Sequence, residues 1–425
     1  MKSNAQIGDY VEVHLAKKIY EGILLEAPKD EKGIILIKLN SGYNIGIIKK
    51  DILEIKLIKK AQETKDIIKI KKDSKKPNIA LIITGGTIAS RLDSKTGGVK
   101  PLNSPEDLFK FYPSMFKHAN VSKVEIPFMK FSEDMDYKDW KKLAQITQKH
   151  LNDPNISGVI ITHGTDSLHY TSAALSFFLR DLNKPVVLTY SQRSIDRASS
   201  DASLNLECSA LAAISDIAEV MLVGHANSSD EFCYAMPGTK VRKLHSSKRD
   251  AFKVINSKPF AKIYPNKIEM LSEHHLRNKN KVKIDTKFQE KIALIKFYPG
   301  QDPEILDYYK KKKYKGIILE VLGLGHVATK NARKSWLAKL KEIQSQGIVI
   351  CATAQTIYGR LNPRVYASGR ELEKTGIIYL EDMLSETAFV KLGWVLGHKE
   401  WASSKQKIKE KMLENLSQEL NPRLN

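Results

Sequence analysis

No stretch of this 425-residue chain approaches the roughly 18–20 consecutive apolar residues that a membrane-crossing helix needs. Its start, MKSNAQIGDYVEV, lacks the apolar region of a secretory signal. Cysteine is scarce. Cys208, Cys233 and Cys351 are scattered, odd in number and free of CxxC spacing, which argues against a disulfide framework or a thiolate zinc site and for a reducing cytoplasm. There is no phosphate-binding loop of the Walker type, no cluster spaced as metal ligands are, and no internal repeat. Acidic residues are the minority charge, 48 against 69 Lys and Arg, and the formal net charge is +21. Such a surface attracts phosphate regardless of sequence, so a polyanion partner is one reading. The other is composition alone, because lysine outnumbers arginine and isoleucine is abundant, usage that also accompanies a hot habitat.

What is present divides the chain by pattern. Short Ile-, Val- and Tyr-rich runs at Tyr10–Leu15, Tyr20–Glu26, Gly33–Leu39, Tyr43–Ile48 and Ile52–Ile58 are separated by turn signals at Pro28-Lys29-Asp30 and Asn40-Ser41-Gly42. They predict a small all-β, SH3-like barrel. Lys69 to Asn78, KIKKDSKKPN, is polar and basic and reads as a linker. From Ile79 onward, apolar strands alternate with helical periodicity, the signature of an α/β fold with parallel sheets. Strands are expected at Ile79–Ile83, Gly158–Ile161, Pro185–Leu188 and Val220–Val223, with helices at Tyr137–His150, Leu168–Arg180 and Ala202–Ser215. A second α/β unit is expected near Lys291, with strands Ile292–Phe297, Gly316–Val321 and Gly347–Cys351 and helices near Lys330–Ser345 and Glu386–Val395. The tail SSKQKIKEKMLENLSQEL reads as a charged helix.

In a parallel sheet, ligands bind beyond the carboxyl ends of the strands. Two of those ends carry similar residues: Thr84-Gly85-Gly86-Thr87 after the first strand, and Thr162-His163-Gly164-Thr165-Asp166 after the second. The glycines allow a tight turn and a close approach to bare backbone. The threonines are either strand-end filler or hydroxyls presented to a substrate. A threonine hydroxyl is a weak nucleophile and needs a base, and a lysine can serve if its pKa is depressed. Composition cannot choose that lysine among so many.

With its TGGTIAS and THGTDSLHYTSAAL stretches, and with KPVVLTYSQRSIDRASSDASLNL and PFMKFSEDM, the chain resembles the asparaginase/glutaminase family of threonine amidohydrolases. Within that family it is similar to the D subunits of archaeal-type glutamyl-tRNA(Gln) amidotransferases. That likeness runs through KFYPGQDPEIL, GLGHVA and AQTIYGRLNPRVYASGRELEKTGIIYLEDMLSETAFVKLGWVLG and includes the N-terminal GYNIGI stretch, covering about residues 6 to 400. The resemblance implies an asparaginase-like fold divided as residues 1–70 (small β-barrel), 71–78 (linker), 79–280 (catalytic α/β domain) and 281–425 (C-terminal α/β domain and helical tail). It places the catalytic group on Thr87, Thr165, Asp166 and Lys243. Substrate-binding positions fall on Ser132, Glu133, Gly86 and Gly164, and His326 falls in a loop that lines the site in relatives. One residue departs from the pattern: Ser94 stands where relatives usually carry a loop tyrosine that assists the first threonine. Either another group replaces that phenol or the glutaminase step is weakened.

The implied activity is hydrolysis of glutamine to supply ammonia to an E-subunit partner, which activates tRNA-bound glutamate with ATP. The chain itself is expected to hold no cofactor or metal, with ATP and magnesium on the partner. The expected assembly is a homodimer within a two-plus-two heterotetramer, with tRNA held mainly by the partner. Two rivals stand beside this reading: a free-standing asparaginase or glutaminase, and a scaffold component weakened in catalysis.

Overall fold

The structure is a computed structural model, describing residues 4–25, 33–40, 44–60, 73–92, 99–101, 113–195 and 199–423. Ser94, the two turns expected at Pro28–Asp30 and Asn40–Gly42 and the first half of the basic linker fall wholly or partly outside those residues.

The N-terminal strands are Tyr10–Leu15, Ile19–Leu25, Ile34–Leu39, Asn44–Ile48 and Ile52–Lys59. They form one antiparallel sheet in the order fourth, third, second, first, fifth. Alternate residues point inward, so Val11, Val13, Ile37, Ile47 and Ile52 make a small core of their own. The fourth and fifth strands share no ladder among the described residues, and the barrel is open along that seam.

The main sheet has eight strands. Five are parallel, in the spatial order Asn120–Glu125, Asn78–Ile83, Val159–Thr162, Val186–Thr189, Val220–His225. The apolar runs that predicted four of these strands are buried on both faces, as a covered parallel sheet requires. Three antiparallel strands, Cys233–Pro237, Ala261–Tyr264 and Lys267–Met270, extend the far edge. The parallel sheet expected from the sequence is therefore extended into a mixed one, and these runs of four or five residues are too short to stand out as strands.

Chain order along the parallel strands is second, first, third, fourth, fifth. The first connection leaves Asn78–Ile83 on one side and the next strand returns on the other. This reversal opens a crevice between the carboxyl ends of Asn78–Ile83 and Val159–Thr162, the topological switch point at which such sheets bind ligands. The two threonine-bearing loops leave from those two ends.

The C-terminal sheet is parallel, with Ile292–Lys296, Gly316–Val321, Val349–Ala354 and Ile378–Tyr379 in sequential order. The helix Ser385–Leu396 from this unit packs on Leu168–Phe178 of the first, with the Phe177 and Trp394 rings stacked at 5.8 Å. A single apolar core runs from Val220 and Phe177 to Ile318 and Cys351, so the two α/β units are fused.

Three helices differ from expectation. The helix expected to reach Arg180 stops at Phe178, because Leu179 and Arg180 pair with Lys283 and Ile284. The helix expected near Lys330 begins at Leu337, after Trp336 buries its ring and donates its indole N–H to the Gln301 carbonyl. The tail helix covers only Lys405–Leu413. Beyond it the chain turns inward and Glu419 meets Lys391 at 2.5 Å with both side chains fully buried. No described helix is long and apolar enough to cross a membrane.

Candidate active site

The crevice is built by glycine contacts. Strands Asn78–Ile83 and Val159–Thr162 are in register, Ile83 opposite Thr162. Thr84 donates both its N–H and its hydroxyl to the Thr162 carbonyl, so this first threonine fastens one loop to the other. Gly86 follows at φ 76°, and a Cβ there would stand 2.4 Å from the Gly164 Cα and N. Gly85, at φ 116°, lies against the Lys130 backbone, where a Cβ would meet the carbonyl oxygen at 2.3 Å. Only residues without a Cβ let these segments come so close. Thr87 follows Gly86, and Thr165 follows Gly164. The two threonines thus flank one backbone-to-backbone contact, Thr87 half-buried at the start of a short 3-10 turn and Thr165 buried.

The third segment is Lys130 to Asp134. Lys130 donates to both oxygens of Asp139 at 2.8 and 2.9 Å, and Asp139 closes a capping box with Asp136 at the start of the helix Tyr137–Leu151. The hydrogen bond to Asp139 raises the Lys130 pKa. This anchorage fixes Ser132, whose Oγ accepts the backbone N–H of Asp166 at 3.0 Å and of Ser167 at 3.4 Å. Ser167 returns a bond from its own hydroxyl to the Ser132 carbonyl at 2.5 Å. Ser132 is buried beneath the Thr165–Asp166 turn, and Gly164 leaves it room, since a Cβ there would lie 2.8 Å from Ser132 Oγ. Its neighbour Glu133 is exposed.

Lys243 comes from far along the chain. It ends the strand Val241–Lys243, which pairs antiparallel with Phe252–Val254, Lys243 opposite Phe252. Its Nζ donates to Thr165 Oγ1 at 2.8 Å and to Asp166 Oδ1 at 2.7 Å. The Lys243 side chain is only 12% exposed, whereas Asp166 is open to the cleft at 63%. The amine therefore bridges the hydroxyl and the carboxylate at the mouth of the crevice.

The two buried histidines beside the site are neutral near neutral pH. Burial holds the His163 imidazole down to about 4, so it is neutral near neutral pH. A carbonyl can only accept, so His163 Nδ1 carries the proton and donates to the Gly164 carbonyl at 2.7 Å. Nε2 then accepts from the Thr171 hydroxyl at 2.9 Å. Burial likewise pushes His169 to about 3, and the nearby cations Arg242 and Lys243 add to the effect. Arg242 Nε meets Glu386 Oε1 at 3.0 Å, and burial raises the Glu386 carboxyl even though Arg242 opposes the shift. Among the described residues no three His, Cys, Asp or Glu side chains gather as a metal site would need.

The structure brings Thr165, Asp166 and Lys243 into direct contact, with Ser132, Gly86 and Gly164 packed around them. Glu133 lies beside Ser132 on the exposed side. His326 lies on a loop of the C-terminal unit, its ring edge-on to Tyr366 and its Nδ1 3.5 Å from Ser368 Oγ. Sequence reasoning missed His163, which braces the Thr165 turn, and the Lys130–Asp139 and Arg242–Glu386 pairs. His163 had a signal in its place inside THGTD. The ion pairs had none, since ordinary charged residues meet there only in the fold.

Three family models match the chain. "Asparaginase, N-terminal" covers residues 78–276, "Glutaminase/Asparaginase C-terminal domain" covers 291–412, and "GatD N-terminal domain" covers 5–58. Curated relatives match end to end. The D subunit of a glutamyl-tRNA(Gln) amidotransferase from Pyrococcus furiosus is 46% identical over 98% of this chain and 95% of its own. Its counterpart from Methanococcus maripaludis is 40% identical over 99% of each. Among solved structures, the L-asparaginase of Thermococcus kodakarensis superposes with a TM-score of 0.71 at 27% identity, covering 81% of this chain and all of its own. L-asparaginase I from Vibrio cholerae gives 0.68 at 27% identity, over 81% of this chain and 99% of its own.

Proposed function

The chain belongs to the family of glutamyl-tRNA(Gln) amidotransferase D subunits, on the asparaginase fold, and from that premise we propose how its crevice supplies ammonia. It is the amidohydrolase component of a tRNA-dependent amidotransferase and works with a partner in that complex. Glutamine lies with its α-groups toward Ser132 and Glu133 and its side-chain amide over the contact between Gly86 and Gly164. Thr87 Oγ attacks the amide carbon. A C–O bond forms, the threonine proton passes to the amide nitrogen, the C–N bond breaks and ammonia leaves. Water, deprotonated through Thr165, Asp166 and Lys243, then cleaves the threonyl ester, releasing glutamate and restoring the Thr87 hydroxyl. Backbone N–H groups of the two turns face the oxyanion, and one well-placed donor of this kind contributes roughly 3–4 kcal/mol.

The observation that carries this reading is the Lys243 amine, 2.8 Å from Thr165 Oγ1 and 2.7 Å from Asp166 Oδ1, beside the glycine contact that brings the Thr87 loop alongside. Ammonia passes to the E-subunit partner, where ATP and magnesium act on tRNA-bound glutamate. The working assembly is a dimer of this chain bearing two partner subunits. Supporting a self-contact, Tyr298, Leu322, Leu324 and Tyr358 are exposed on loops that leave the carboxyl ends of the C-terminal strands.

Purified chain and partner, given glutamine, ATP and glutamyl-tRNA(Gln), should form glutaminyl-tRNA. Alanine at Thr87, Thr165, Asp166 or Lys243 should abolish glutamine hydrolysis in a folded protein. Full activity in any of the four removes that residue from the scheme. Steady asparagine hydrolysis without partner or tRNA would favour a free-standing asparaginase instead.

A further inference from the structure

Lys243 sits at the end of a short strand, and almost every residue leading to it is fastened to the C-terminal unit. Thr239 accepts the Thr387 hydroxyl on its carbonyl at 2.8 Å and donates its own hydroxyl to the Ser417 carbonyl at 2.7 Å. Lys240 is fully buried and meets Asp382 Oδ2 at 2.5 Å, with neither side chain exposed. Arg242 is paired with Glu386. The returning strand is tied to the same place. Ile255 donates its N–H to the Lys240 carbonyl at 2.8 Å, and Asn256 exchanges hydrogen bonds with Gly359.

Asp382 is the hub. Its two oxygens also accept the Asn421 backbone N–H at 3.0 Å and the Asn421 side-chain amide at 2.7 Å. The chain's tail therefore closes over the pair. A fully buried lysine and aspartate are costly to desolvate, and swapping such a pair for apolar residues often leaves stability unchanged or improved. The Lys240–Asp382 pair is thus poorly explained as a stabilising device. It does have direction: three residues before Lys243, it fixes the base of the hairpin against a different unit of the fold.

We propose that Lys240 and Asp382 are positioning residues through which the C-terminal unit and its tail set the place of the Lys243 amine over Thr165. This rests on the function proposed above, in which Lys243 serves the hydrolytic step. A displacement of about 1 Å in such a group can lower turnover by two orders of magnitude. Contacts on the C-terminal unit or tail that shift Asp382 therefore alter glutamine hydrolysis without touching the crevice.

Removing one charge alone would strand the other, so the test uses Lys240→Met with Asp382→Asn, which keeps an acceptor for Asn421. Thr387→Val serves as a milder second variant, removing one hydrogen bond to Thr239 while preserving shape. Glutamine hydrolysis by the complex is followed alongside thermal melting and the pH dependence of kcat. The expected result for the double variant is a folded protein with KM within twofold of native, kcat down roughly 10–100-fold and a displaced pH profile. Thr387→Val should lower kcat a few-fold at unchanged KM. A folded double variant with native kcat and pH profile, whatever its melting temperature, overturns the proposal. If the double variant does not fold, native kcat in Thr387→Val overturns it. An active Lys243→Ala would instead sink the function reading itself.

Discussion

Substituting alanine for Gly86 tests whether the two loops form one site. The added Cβ would lie 2.4 Å from the Gly164 Cα and N and 2.9 Å from the His163 carbonyl carbon. These are backbone atoms, so no side-chain rotation relieves the overlap. The residue also sits at φ 76° and ψ 177°, a region essentially confined to glycine, where a residue with a Cβ pays about 1–3 kcal/mol. Gly347 is a positive-φ control without the overlap. Its φ is 87° and nothing lies within 4 Å of a Cβ built there, at the end of the helix Leu337–Ser345. Gly347→Ala should cost only the backbone contribution and leave glutamine hydrolysis intact. Gly86→Ala adds an overpacking cost of about 1–3 kcal/mol, for a total of roughly 2–6 kcal/mol. At about 2–4 °C per kcal/mol, the unit melts well below the Gly347 variant. Relief of the overlap must part the loops, so kcat should fall at least about 100-fold. The assay is scanning calorimetry of both variants with glutaminase kinetics below either transition. Equal melting temperatures with native kcat in Gly86→Ala would refute the loop-on-loop packing.

Acid should weaken the fold through His163. Its pKa is about 4 when folded, against an ordinary 6.5, so the unfolded chain binds the extra proton between those values. Stability is fully present above pH 6.5 and is lost as pH falls toward 4, at about 1.4 kcal/mol per pH unit. Denaturant midpoints measured across that range should fall less steeply in His163→Asn, and parallel curves would contradict the buried neutral imidazole. At the tail, Lys391→Met alone leaves Glu419 charged in a dry interior and should cost about 3–5 kcal/mol. Lys391→Met with Glu419→Gln, which keeps an acceptor for the Leu416 and Ser417 N–H groups, should recover most of it, and a double variant no better than the single one would refute a stranded Glu419 charge as the source of the cost.

The central strands of the two sheets were legible because burial on both faces requires unbroken apolar runs. Ile79–Ile83 and Gly316–Val321 announce themselves in that way, whereas the edge strands Asn120–Glu125 and Ile378–Tyr379 were not expected. The two glycine-threonine turns were legible too, since a tight approach at a strand end needs glycine. The hairpin of Val241–Lys243 and Phe252–Val254 was not. Its strands are three residues long, and their ladder is held by contacts to the C-terminal unit rather than by local preference. The tail helix was over-extended because its charged pattern continues to Leu420, while the pull of Lys391 on Glu419 reaches across the fold. Residue type alone did not separate Thr84 from Thr87 as the family resemblance did, and the register of neighbouring strands gave Thr84 to the Thr162 carbonyl.

By itself, the sequence determined the classes of structure and the chemical types available: a β-rich start, two α/β units, and hydroxyl-bearing turns at two strand ends. The family resemblance singled out Lys243 among 69 basic residues, and the tertiary structure brought its amine onto Thr165 and Asp166. Lys243 lies 78 positions from Thr165 in the chain, and neither composition nor periodicity announces that contact. That placement comes from a sheet that reverses direction between two strands and from a second unit that grips the hairpin base, and such long-range contacts leave no periodic trace in a linear order of residues.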